Sequence, residues 1–208
     1  MTAQSSASKD RWAFTRSDRI GLIALLILVN SAAILAWVVG PIVSWLRGDA
    51  LWASFISPIS VPALDAVGVP YSAGTYDLRV ANPSTGQRVI LVVAGVLWAA
   101  VLLSASVIVA RLMRSIAAGD AFDRANVARL RWLAALLIGA VPVAHVVDLF
   151  ARGALIAGAE LGGLPPTASI SIPWLPIVAG MVVALIAQAF VAGAGLRDDV
   201  DGLSLIHI

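Results

Sequence analysis

A chain of 208 residues that is 60% hydrophobic and 12% charged holds about half the charge of a soluble domain, which excludes an ordinary water-facing globule and points to a membrane solvent. The net charge of +2 lies on basic residues beside apolar runs, so it reads as membrane topology rather than nucleic-acid binding. With no cysteine there is neither a disulfide nor a thiolate metal site.

In chain order, residues 1–19 form a polar tail carrying Lys9, Arg11, Arg16 and Arg19. No charge then occurs until Arg47, which predicts a first span over residues 20–45. The apolar run through AWVVGPIV outlasts the about 7–15-residue core of a secretory signal, so this segment is read as a retained span. An outer loop, 46–88, contains TYDLRV followed by NPSTGQ, the pattern of a short strand and a turn. A second span is predicted over 89–110, a charged loop over 111–131, a third span over 132–151 and a fourth over 173–196, after a GGLPP loop. Each is long enough to cross roughly 30 Å of hydrocarbon. The fold class expected is all-α, a four-helix transmembrane bundle with a small β element in its outer loop. Paired small residues at 32/36/40, 95/99, 135/139 and 180/184 suit close helix approach.

Four crossings put both termini on one side. With that side cytoplasmic, it carries ten of the fourteen basic residues, against Arg47, Arg79, Arg88 and Arg152 outside. The positive-inside rule therefore orients the chain, with both termini cytoplasmic.

The charged loop, GDAFDRANVARLRW from Gly119 to Trp132, reads as a helix stop at Gly119 and an N-cap at Asp120. A short interfacial helix then merges into the third span, with Val127, Leu130 and Ala134 as its apolar stripe. Arg124, Arg129 and Arg131 are the candidate contacts with lipid headgroups or with a cytoplasmic partner. The plainer role is a topology determinant and anchor. Nothing here resembles a nucleic-acid-binding motif.

The cassette GDAFDRANVARLRWLAALLIG, with a fourth span ending QAFVAGAGLRDDVDGL, resembles the bacterial membrane family catalogued as domain of unknown function 2975, over about Ile20 to Leu203. The resemblance implies a four-span protein with a glycine, a Phe and an Arg-Leu-Arg entry to the third span, and an acidic segment after the fourth. It implies no activity. It also implies a helix-turn-helix regulator as a partner, since members occur beside such regulators. The final residues 204–208, SLIHI, depart from the family's ending and read as a non-native tail, so His207 is set aside.

Within the third span, VAHVVDLFARG places His145, Asp148 and Arg152 at i, i+3 and i+7 along one helix side. At 1.5 Å per residue from Trp132 they lie about 20, 24 and 30 Å in. Ionisable residues at depth are costly unless paired, which makes the trio the candidate intramembrane site. Pro142 removes a backbone N–H just before it. One reading is a proton-responsive or ligand-binding site reached from outside, with His145 titrating near neutral pH and Asn30, Ser31, Ser104, Ser106 and Gln188 lining it. The plainer one is an Asp148–Arg152 pair at the water boundary and a neutral His145 bonded across the bundle. One His and one Asp are too few ligands for a metal, and no catalytic or phosphate-binding signature is present. Asp198, Asp199 and Asp201 form an acidic patch whose default is a solvated helix end.

The sequence thus predicts no enzyme and no cofactor. The leading expectation is a membrane sensor or regulatory partner of a cytoplasmic protein. The alternative is a small transporter or permease subunit using His145 and Asp148, which would also require homo-oligomerisation.

Overall fold

The computed structural model describes residues 16–57, 66–68, 74–157 and 172–204. The start of the N-terminal tail, the GGLPP loop and 205–208 lie outside the described residues. Among them, four helices are long and apolar enough to cross a membrane, and one two-stranded sheet accompanies them.

The first span, Ser17–Arg47, is built of α1 (Arg16–Ile34), one π turn over Leu35–Val39, and α2 (Gly40–Arg47). Pro41 has no N–H, so the ladder widens ahead of it and the Gly40 N–H reaches Leu35 instead. The third span repeats the device. There α4 (Arg124–Ala135) runs through a π turn at Leu136–Ala140 into α5 (Val141–Ala157), with Pro142 in its first turn and the Val141 N–H on Leu136. The interfacial helix expected from sequence is therefore continuous with the third span. The second span is the uninterrupted α3 (Thr85–Ala117), and the fourth is α6 (Trp174–Ser204).

Each span packs on its neighbour in the chain: first on second, second on third, third on fourth. Close approach depends on small residues, with Ala94, Ala134, Ala144, Ala151 and Ala187 all buried. Gly95 and Gly180 make the tightest contacts. A Cβ on Gly95 would overlap the Trp37 carbonyl, and one on Gly180 would stand 2.6 Å from Ile138 Cγ1. Each π turn is thus met by a glycine of the following span. The central core joins Val101 to Val141 and Ala144. Outward, Ile20, Leu28, Leu103, Phe150, Leu175 and Leu185 are exposed, as lipid-facing side chains are.

The outer-loop strand expected at TYDLRV is β2 (Gly74–Val80). It pairs antiparallel with a strand the sequence reading missed, β1 (Leu51–Ser57), in the register Leu51↔Val80 to Ser57↔Gly74. LWASFIS has little of the polar alternation that marks a half-exposed strand. The NPSTGQ turn leads directly into α3, where Ser84 and Gln87 form a capping box.

Candidate functional site

Two polar constellations stand at opposite ends of the third span. At its hairpin end, α5 presents Asp148 and Arg152, joined by Arg152 Nε donating to Asp148 Oδ2 at 2.8 Å. Both line an open cleft of about 550 Å³ between the first, second and third spans. Its inner part is apolar, formed by Ala36, Trp37, Gly95 and Trp98, and its outer part is bordered by Ser44, Leu91, Ala50, Leu51 and Trp52. Trp37 and Trp98 pack with ring centroids 6.1 Å apart and planes inclined by 50°.

His145 is half-buried and is not among the residues lining the cleft. The cleft thus brings Asp148 and Arg152 together, and His145 is not part of its lining. None of Asn30, Ser31, Ser104, Ser106 and Gln188 lines the cleft either. Asn30 instead donates to Ser106 Oγ at 2.7 Å and to its own helix at Leu26, bonding the first span to the second. Ser31, Ser104 and Gln188 are exposed. Among the described residues no group of three or more His, Cys, Asp or Glu could hold a metal ion.

A buried cation stands behind the cleft. Arg88 is 8% exposed and donates to the Asp49 carbonyl at 2.8 Å and the Ser44 carbonyl at 3.5 Å. Those carbonyls belong to the C-terminal turn of the first span, where Gly48 adopts φ 72° and Asp49 N–H closes on Ser44. The positive side chain satisfies the Asp49 carbonyl, adds a second donor to the Ser44 carbonyl and complements the helix dipole. One residue earlier, Gln87 Nε2 reaches the Ala154 carbonyl at 2.9 Å. Together Gln87 and Arg88 tie the start of the second span to the ends of the first and third.

At the other end, α3 stops in a Schellman turn. Gly119 has φ 90°, its N–H bonds Ile116, and the Asp120 N–H bonds Ser115. The N-cap of α4 is Asp123, not Asp120 as expected: the amides of Asn126 and Val127 bond the Asp123 carbonyl. Asp120 falls instead inside the turn, where its carbonyl accepts from Asn126. That residue, 0% exposed, donates from Nδ2 to Ser115 Oγ, the Asp120 carbonyl and the Ala121 carbonyl, at 2.7–3.1 Å. Its oxygen accepts from Arg129 Nη1 at 2.6 Å.

Arg129 is consequently half-buried and held inward, whereas Arg124 and Arg131 are exposed. The three arginines do not form one surface. Phe122 packs against Phe190 at 5.2 Å and over Gly193 of the fourth span. Val127, Leu130 and Ala134 are all buried. The side chains of Asp198, Asp199 and Asp201 lie outside the described residues.

Sequence reasoning missed Asn126, Arg88 and the cleft tryptophans. Asn126 had a signal, since it lies four residues before Leu130 and so on the buried stripe. Arg88 had none, because its partners are backbone groups distant in the chain.

Residues 60–202, over two thirds of the chain, match the profile of a family described as "Protein of unknown function (DUF2975)". The match begins beyond the first span, a shorter stretch than the resemblance over 20–203 implied. No curated protein and no solved structure matches the sequence.

Proposed function

The chain belongs to the DUF2975 family, and from that premise we propose that it is a non-catalytic receptor of the bacterial plasma membrane, with both termini and the Arg124–Arg131 region inside. The outward cleft binds a ligand, and the exposed face of α4 contacts a cytoplasmic regulatory protein, of helix-turn-helix type by the family resemblance. The observation that carries this reading is the cleft itself. It holds an ion pair and paired tryptophans among apolar walls, the make-up of a ligand site. Arg131 and Arg152 are 21 residues apart on one nearly continuous helix, about 30 Å, so one rigid element joins the two ends.

The transporter reading has less support, because His145 stands outside the cleft and a proton path through His145 and Asp148 needs both at one opening. The test is crosslinking in native membranes followed by purification. A stoichiometric soluble partner, lost in Arg124→Gln/Arg131→Gln, is the expected result. A preparation holding only copies of the chain, or a partner indifferent to that double substitution, overturns the receptor reading.

A further inference from the structure

We infer that the cleft takes the headgroup of a zwitterionic phospholipid, an inference that rests on the receptor reading above and names its ligand. The first argument is the direction of polarity. The Gln87–Ala154 bond and the Trp37–Gly95 contact fix how the spans align. Ala36, Trp37 and Trp98 lie deepest, Asp148 and Arg152 nearer the hairpin, and Trp52 at the rim. An apolar interior grading to a charged mouth is the polarity of a bilayer lipid. The open side of the cleft leaves its chains room to continue into the membrane.

Charge supplies the second argument. The ionised side chains that line the cleft are one carboxylate and one guanidinium. A purely anionic or purely cationic ligand would pair with one and take it from the other. A phosphate bound to Arg152, with an ammonium between Asp148 and Trp52 at the rim, satisfies both. Guanidinium suits phosphate as a forked donor, and tryptophan is the strongest aromatic partner for a cation. Arg88 is not among the lining side chains, and its donors are turned to the carbonyls of Ser44 and Asp49.

The third argument is ease of exchange. The Asp148–Arg152 pair is a single contact, with the Arg152 side chain 57% and the Asp148 side chain 21% exposed. Such a pair is weak and can open to admit a headgroup. A volume of about 550 Å³ suits a headgroup and the glycerol region, and is too small for whole acyl chains.

The experiment is native mass spectrometry of the full chain in mild detergent. Phosphatidylethanolamine and phosphatidylglycerol with identical acyl chains are offered at equal concentration. The expected result is one phosphatidylethanolamine retained per chain, with a preference of about tenfold, equivalent to about 1.4 kcal/mol. Asp148→Asn should bring the two lipids to parity. Ala36→Phe, which fills the apolar interior from an exposed position and touches neither charge, should abolish retention of both. If Asp148→Asn does not fold, Ala36→Phe alone decides.

Parity or a phosphatidylglycerol preference in the parent chain overturns the inference. So does a preference that survives both substitutions, since the lipid would then be annular. Equal competition by chain-free glycerophosphoethanolamine would assign the site to a soluble zwitterion instead. Partner capture in the same membranes separates the two proposals. A retained partner with no lipid preference leaves a receptor with a different ligand, whereas a lipid preference with no partner leaves a lipid site without the receptor.

Discussion

The backbone carbonyl of Trp37 stands directly against the bare Cα of Gly95. Pro41, four residues further on, has no N–H to offer that carbonyl, so the first span widens into a π turn that presses on the second. A methyl group at position 95 can be accommodated only by moving one span. Gly95→Ala is predicted to destabilise the protein by about 1–3 kcal/mol, the usual cost of overpacking. Gly153→Ala, where a Cβ meets nothing within 4 Å, is predicted to be neutral or to stabilise by up to about 1 kcal/mol through helix propensity. Thermal unfolding of both variants in detergent checks the pair. Equal melting temperatures would mean that the contact does not position the spans.

Asn126 offers a second prediction. It connects the end of α3, the turn after it and Arg129. Asn126→Ala strands buried acceptors and frees Arg129, and an unmet buried polar group costs about 1–3 kcal/mol. Asn126→Asp should be no better, because a carboxylate cannot donate to the Asp120 and Ala121 carbonyls. Limited proteolysis should then cut between Ala118 and Asp123 where the parent chain resists. Continued resistance in both variants would show that the Phe122–Phe190 contact holds the turn without Asn126.

How much of this was readable in advance depended on the range of the interaction. The four apolar helices and the continuity of the interfacial helix with the third span follow from hydrophobic length and from local periodicity. The strand at TYDLRV showed itself through alternation, while its partner LWASFIS lacks that pattern and is defined only by pairing. Gly119 was legible as a helix stop. The cap was misplaced from Asp123 to Asp120 because either aspartate suits a cap, and only the backbone bonds of Asn126 and Val127 choose between them. For the site, the i, i+4 spacing of Asp148 and Arg152 was local and visible. The joining of Trp37, Trp52 and Trp98 from distant segments, and the absence of His145 from the lining they share, depend on how three spans pack.

A third prediction concerns Arg88. Its buried guanidinium reaches two carbonyls at the end of the first span, so Arg88→Met removes both hydrogen bonds and the charge that complements the helix end. The expected loss is about 2–4 kcal/mol, from two hydrogen bonds to a charged group at about 1.5–3 kcal/mol each less the apolar packing that Met recovers. Arg88→Lys keeps the charge but loses the forked geometry, so it should fall between Met and the parent. Hydrogen exchange at Asp49 and in β1 should quicken in the same order. Unchanged exchange would show that the hairpin is held by its own pairing.

The ion pair of the cleft carries the last prediction. An i, i+4 pair as exposed as Asp148–Arg152 contributes about 0.3–0.5 kcal/mol to a helix. Asp148→Asn and Arg152→Gln should therefore unfold within about 0.5 kcal/mol of the parent chain, well below the losses expected for Arg88→Met or Asn126→Ala. A pair that adds so little to stability, lining a cleft between its deep tryptophans and Trp52 at the rim, is better explained by what it binds than by what it holds together. Chemical or thermal unfolding of the two variants distinguishes these roles. Losses above about 2 kcal/mol, the range of buried and uncompensated charge, would assign the pair to the scaffold and remove it from the binding site.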